Sequence, residues 1–374
     1  MSEYIYHQLA EHMDKLPGGF PATNEGLELR ILKHLFNVDQ AKMAMHLNLI
    51  AEPVSVIARR AGLGEDETRE MLEEMADKGL IYDIHQPEKP PLYMACHFMV
   101  GIWEFQVNRL DIDFIKDVDE YMKRYLINPQ VWKENPQLRT IPIGESIPNP
   151  TEVSPYEQAE NIIDGHEKFL VADCICRKEK TIVGEACDQP LETCLIMGSA
   201  DFYERHGIGR KISKAEAHEI IASADKNGLV LQSANYKQAG FICSCCGDCC
   251  GILRNIKQYP KPGTLIPSAY YAVVDQEICS ACETCLTRCQ MEAIQVNGYA
   301  QILDDRCIGC GLCVTTCETG ALCLRRKSED DQPYIPKDLS ESLIRLARKR
   351  GVMKTPDLII MGLRSKIDRF LSSR

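Results

Sequence analysis

Two cysteine runs constrain this chain more than anything else in it. CSACETCLTRC, from Cys279 to Cys289, and CIGCGLCVTTC, from Cys307 to Cys317, share the spacing C-x2-C-x2-C-x3-C. Of the 19 cysteines among 374 residues, 18 lie between Cys174 and Cys323, and Cys96 stands apart. No basic segment followed by an apolar run opens the sequence, so a cytoplasmic protein with reduced thiols is expected. Clustered reduced cysteines read as metal ligands or redox groups. The longest mostly apolar stretch, Tyr93–Trp103, has 11 residues and includes His97. Crossing a bilayer takes roughly 20.

The spacing has a geometric consequence. Three thiolates at every third position of a tight loop reach three irons of one cubane, while the fourth cysteine starts a helix and points away to close a second cluster. Cys279, Cys282, Cys285 and Cys317 are therefore expected to hold one [4Fe–4S] cluster, and Cys307, Cys310, Cys313 and Cys289 another. A single run could equally be a zinc site or stray thiols. Two copies 28 residues apart argue otherwise, with Gly309 and Gly311 letting backbone amides approach sulfide. Between the runs, IQVNGYAQI reads as two short strands joined through Asn297–Gly298, a favoured hairpin turn.

On these residues, the segment from about 270 to 326 resembles a bacterial-type 2[4Fe–4S] ferredoxin domain. The resemblance covers about 57 residues, roughly 15% of the chain, and implies a pseudo-twofold βαβ arrangement. That family usually carries proline after each fourth cysteine, where Gln290 and Glu318 stand here. Local polarity is a lever on cluster potential, so Glu318 is expected to lower the potential of the Cys279 cluster. The whole chain resembles 4Fe–4S binding proteins of anaerobic bacteria that join an N-terminal module to a ferredoxin domain. This second resemblance implies an architecture and supplies no reaction.

Nine further cysteines fall in residues 154–265: Cys174, Cys176, Cys187, Cys194, Cys243, Cys245, Cys246, Cys249 and Cys250. The last five sit in FICSCCGDCCGILRNI, a glycine-containing turn leading into a helix, where thiols have depressed pKa and bind metal readily. Adjacent cysteines point to different sides, so two ligand sets, or ligands plus spare thiols, are expected. Three readings stay open. The neighbouring runs favour a further iron–sulfur cluster. A structural zinc is the second, for which only Cys246–Cys249, with Cys245 as its register neighbour, approaches the usual knuckle spacing. Thiol redox chemistry without metal is the third. The Cys-Cys-Gly repeats at 245–247 and 249–251 resemble heterodisulfide reductase modules, without their longer-range spacing.

The chain as a whole reads as a multidomain α+β protein. Residues 1–127 form a helical module with two helices across the Gly62–Gly64 turn and a hairpin over 80–84 and 92–98, which resembles a winged helix. A helix capped by Asn24 and an amphipathic helix over 100–127 belong to it. A proline-rich connector spans 128–153. The cysteine-rich α/β domain covers 154–265, opening at Ser154-Pro155, with FLVADCICR (169–177) strand-like and a capping box at Ser213–Glu216. The dicluster ferredoxin domain takes 268–326, and 327–374 is a basic amphipathic helical tail.

Charge divides the same way. Residues 325–374 carry 13 Lys/Arg against 7 Asp/Glu, leaving 30 against 47 in the rest. An acidic body repels phosphate backbones. The would-be recognition helix, Glu65 to Lys78, offers seven carboxylates against Arg69 and Lys78, so nucleic acid is disfavoured and a protein contact preferred. The tail is suited either to a membrane surface, as peripheral contact, or to the acidic body or a partner, which the charge balance favours.

No GxGxxG or P-loop is present, a C-x3-C-x2-C pattern fails at Glu292, and CxxCH does not occur. The function expected is electron transfer by a multi-cluster iron–sulfur protein between redox partner proteins, as a free carrier or as a subunit of a larger oxidoreductase. Two rivals from other classes are a redox-responsive regulator using the winged-helix-like module and a catalytic oxidoreductase with its site at Cys243–Cys250.

Overall fold

The computed structural model describes residues 2–126, 136–147, 154–352 and 355–372. Residues 128–135 and 148–153 of the expected connector lie outside the described residues. The chain is mixed α+β and divides into two compact units. One comprises Met1–Tyr121, Arg205–Ile208 and Leu343–Arg374; the other comprises Met122–Glu204 and Gly209–Ser342.

In the first unit, helices Leu27–Leu35 and Val38–Ala44 lead to a two-residue strand, Glu52–Pro53. Helices Val54–Ala61 and Glu65–Asp77 follow, then the hairpin Ile81–Gln86 and Lys89–Ala95. The short strand pairs with the second hairpin strand, making a three-stranded antiparallel sheet. Gly62 ends its helix at φ 72°, a conformation that glycine adopts without a Cβ penalty. Glu65, Asp66, Glu67, Glu70, Glu73, Glu74 and Asp77 are all exposed, while Leu72, Met75 and Ala76 face the core.

Several local expectations change here. Helix Leu27–Leu35 has Gly26 as its N-cap, and the Thr23 hydroxyl accepts the Leu27 N–H at 2.8 Å and donates to Glu28, so Asn24 is not the capping residue. The hairpin turns at Pro87–Glu88, and Pro90 and Pro91 already lie in the strand, next to the register shift between Ile84 and Gln86 where a missing N–H is tolerated. The expected helix over 100–127 is broken. Val100 at φ 52° interrupts a wide turn over Phe98–Ile102, and helix Ile112–Leu126 restarts with the Asp111 carboxylate accepting the Phe114 N–H at 2.9 Å. Phe20, Phe98 and Tyr121 pack together with ring centroids 4.9–5.9 Å apart, and across the break Trp103 meets Phe114 at 5.5 Å.

Residues 205–208, expected in the central domain, join this first unit because the buried Asp83 carboxylate takes Arg205 at 2.7 Å and His206 at 3.1 Å. The tail helices Leu339–Arg350 and Thr355–Ser372 place Arg350 on Asp14 at 2.6 Å and Asp368 on Arg60 at 3.1 Å. Among the described residues no helix is long and apolar enough to cross a membrane.

The second unit is built on a six-stranded sheet. Its strand order is Leu138–Ile141, Val230–Ala234, Phe241–Cys245, Glu192–Ile196, Phe169–Asp173 and Arg210–Ile212. Every pairing is antiparallel, so the central domain is not the α/β type expected. All five residues of Val230–Ala234 are buried, and helix Lys214–Lys226 packs Ala217, Ile221 and Ala224 inward. Leu138–Ile141, expected to be connector, is a fully buried edge strand. The strand read over 169–177 stops at Asp173, and Cys174 instead begins helix Ile175–Ile182. Ser154-Pro155 opens only a single 3-10 turn. The Ser213 side chain accepts the Glu216 N–H at 3.1 Å, but the Glu216 carboxylate pairs with Arg210 at 2.7 Å, so half of the expected box forms.

Beyond the sheet, Tyr270–Val274 pairs with Leu322–Arg326, and Ile294–Val296 with Ala300–Ile302 through a turn holding Gly298 at φ 76°. Short helices Thr284–Arg288 and Leu312–Thr315 follow the two cysteine loops.

In the first unit, burial pushes the Glu104 carboxyl up to about 7, although the Gly101 N–H donates to it at 2.8 Å. A folded-state value above the unfolded one gives stability that is complete below about pH 4.5 and is lost as pH rises through about 7. Glu104→Gln should therefore gain on the parent chain between pH 5 and pH 8, by on the order of 2 kcal/mol. Denaturant unfolding at both pH values measures it, and an unchanged difference would refute the assignment.

Candidate metal centres

The eight cysteines of the two runs come together as two interleaved sets. Cys279, Cys282, Cys285 and Cys317 line one cavity. Cys289, Cys307, Cys310 and Cys313 line another. Each cavity thus takes three cysteines from one loop and the fourth from the other. Apolar residues of both halves wall them, including Ala272, Ile294, Ala300 and Leu322.

Backbone N–H groups point at the sulfurs. Ala300 donates to Cys279 Sγ at 3.3 Å, and Ala272 to Cys307 Sγ at 3.5 Å, each from a strand of the opposite half. Ala293 donates to Cys289 Sγ at 3.2 Å. Such donors stabilise thiolate charge away from water. Four cysteines around one pocket, with N–H donors on their sulfurs, are a donor set that fits a [4Fe–4S] cluster in each quartet.

The loops reach this shape by left-handed backbone turns. In the second, Gly309 and Gly311 have φ of 65° and 82°; at the matching positions of the first stand Ala281 and Glu283, at 54° and 64°. Crowding explains the difference. A Cβ on Gly309 would fall 2.2 Å from the Tyr270 carbonyl, and one on Gly311 2.0 Å from Ser146 Oγ. Ser146 and Ile143, whose N–H donates to the Cys310 carbonyl at 3.0 Å, come from the segment expected to be connector.

The quartets also differ in exposure. Cys282 is exposed, and the Thr284 hydroxyl and backbone N–H hold its pKa below the ordinary thiol value. Burial instead pushes Cys310 up to about 12 and Cys313 well upward. Glu318 is exposed, so water screens its effect on the first quartet.

Residues 300–323, which include the second run, match the family model described as "4Fe-4S binding domain". This part of the chain is a ferredoxin-type iron–sulfur domain. Neither curated proteins nor solved structures give a match.

The ferredoxin-type domain is fastened to the helices and turns around the central sheet by Arg288, Gln290 and Arg306. Arg288 donates to the Lys226 carbonyl at 3.0 Å and to Thr316 at 2.9 Å; Arg306 donates to the Lys257 carbonyl at 3.1 Å. Gln290, where the family has proline, accepts the Gly247 N–H at 2.6 Å and donates to the Gly228 carbonyl at 2.8 Å. Gly247 belongs to the Cys-Cys-Gly turn, so Gln290 bonds the second quartet's Cys289 neighbourhood to the central cysteines.

Those nine cysteines form two groups. Cys194 faces Cys243 across adjacent strands, and Cys243, Cys245, Cys250, Cys176 and Cys174 continue thiol to thiol. Cys187, Cys246 and Cys249 form the other, their sulfurs within 4.8 Å of one another. The adjacent pairs Cys245–Cys246 and Cys249–Cys250 are each split between the groups, as the alternation of side chains along the chain requires.

The expected lowering of thiol pKa at the helix start is not found at Cys250, the cap of helix Gly251–Ile256. Its bond to Cys176 works downward, but its bond to Cys245 and burial hold it well above the ordinary value. Against burial, the Cys249 N–H and the Arg177 charge pull Cys246 down. Sequence reading missed Arg177, which is 1% exposed. Its guanidinium bonds the Pro190 and Ser244 carbonyls, Thr193 Oγ1 at 2.8 Å and the Cys246 thiol. Nothing in the CICR tetrapeptide marks that arginine as buried.

Gly309→Ala should cost about 2 kcal/mol or more, because its new methyl meets backbone that cannot retreat. Ala281→Gly, at the matching position, should instead stabilise by about 1 kcal/mol by releasing a left-handed alanine. Thermal unfolding of anaerobically purified variants checks both; equal effects at the two positions would contradict this account of the loops.

Proposed function

We propose that this protein is a multi-cluster iron–sulfur electron carrier that relays single electrons between redox partner proteins. The observation that carries the reading is the pair of cysteine-lined cavities, one with the exposed Cys282 and one whose cysteines are half-buried or buried, with a third thiol group beyond. Bound clusters supply one-electron uptake and release, while the chain sets position, potential and access. Cys282 marks the exposed edge, where a partner protein is proposed to dock.

The order of sites supports a direction of travel. From the quartet bearing the exposed Cys282 the route enters the second quartet through the shared domain core. It then follows Cys289 and Gln290 across the hydrogen bond to Gly247, and along the backbone to Cys245. We assign the six-thiol group as the third centre, an iron–sulfur cluster, because six neighbouring thiols exceed the four that a single ion takes. Gly251 N–H on Cys176 at 3.5 Å and Gln232 on Cys250 at 3.7 Å add donors there. The regulator alternative is weakened by the carboxylate-covered helix Glu65–Asp77, which would face phosphates with the wrong charge.

Rapid-mixing reduction of the anaerobic protein tests the relay. The parent chain should take up more than two electrons in stages that interconvert within the molecule. Gln290→Ala should slow the last stage several-fold and leave the earlier ones unchanged. Failure to accept electrons from a low-potential donor would refute the function, and an unaltered last stage in Gln290→Ala would refute the route.

A further inference from the structure

The Cys187, Cys246 and Cys249 group differs in kind from the ferredoxin quartets. Its sulfurs are nearly in contact, with Cys187 to Cys246 at 3.6 Å and Cys249 to Cys187 at 3.4 Å. Tetrahedral zinc with bonds of about 2.3 Å puts its sulfurs about 3.8 Å apart, close to these two spacings. Thiolates on separate irons of a cubane must instead stand around the cluster, as they do around the two ferredoxin cavities.

Each sulfur has its own backbone donor: the Gln189 N–H serves Cys187, the Cys249 N–H serves Cys246, and the Cys187 N–H serves Cys249. Cys246-Gly-Asp-Cys249 has the two-residue spacing of a zinc knuckle. Charge also balances. Three thiolates around a divalent ion leave one negative charge, and the buried Arg177 bonded to Cys246 supplies one positive charge. Among the described residues, no fourth His, Cys, Asp or Glu lies within the same 4.8 Å.

We propose that Cys187, Cys246 and Cys249 bind a single thiophilic divalent ion, zinc, with a fourth ligand from outside the chain's own acidic, histidine and cysteine side chains. The site pins the loop bearing Cys187 to the Cys-Cys-Gly turn beside the electron route. It does not depend on the relay reading, because zinc itself carries no electron.

Metal analysis and X-ray absorption on the full-length anaerobic protein test the proposal. The expected result is one zinc per chain in a shell of three sulfurs and one lighter donor. Cys187→Ser and Cys249→Ser should each lose that zinc and keep the parent iron content. Loss of iron instead, or a parent protein without zinc and with the trio as free thiols or a disulfide, would overturn the site. Should both variants misfold, Co2+ added to chelator-treated parent protein decides. Tetrahedral cobalt–thiolate bands saturating at one equivalent support the site, and their absence overturns it.

Discussion

Each half of the ferredoxin-type domain lends one cysteine to the other half's cavity, and much of the second unit is arranged around that exchange. Cys289 and Cys317 leave their own loops and complete the opposite set. Neither site can be assembled by a local segment. The strands that hold the halves together, Tyr270–Val274 and Leu322–Arg326, therefore also fix the ligand geometry. Ala272 in the first of these strands and Ala300 in the inner hairpin donate N–H groups to the sulfurs, so fold and site share their hydrogen bonds.

The two cavities then acquire different surroundings. The first faces outward, which is why Ala281 and Glu283 fit its loop. The second is pressed against Tyr270 and Ser146, where only glycine has room. Gln290 turns a position normally filled by proline into two hydrogen bonds with the turns at Gly228 and Gly247 that flank strands of the central sheet. Proline has no such donor or acceptor on its side chain, so this departure from the family pattern is what joins the domains at their cysteines.

What could be read from the sequence was whatever depends on short-range spacing. The interleaved quartets follow from the repeat, the hairpin from Asn297–Gly298, and the division of the central thiols from adjacent cysteines facing opposite sides. What escaped depends on distant partners. Leu138–Ile141 looks like linker because prolines surround it, yet Val230–Ala234 recruits it as an edge strand. Arg205 and His206 leave the central sheet for a buried carboxylate more than a hundred residues away. Arg177 follows two cysteines in an ordinary helix start, and only the assembled fold reveals that it is buried among thiols.

The central claim is that the interleaved quartets hold two clusters close enough to sense each other. Electron paramagnetic resonance of the anaerobically purified, fully reduced protein tests it most directly, with iron and sulfide counted in the same sample. The account predicts about eight irons from the quartets alone, about twelve with the third centre, and a spectrum broadened by coupling between neighbouring spins. About four irons with a single uncoupled signal, or iron-free protein with intact thiols, would contradict it.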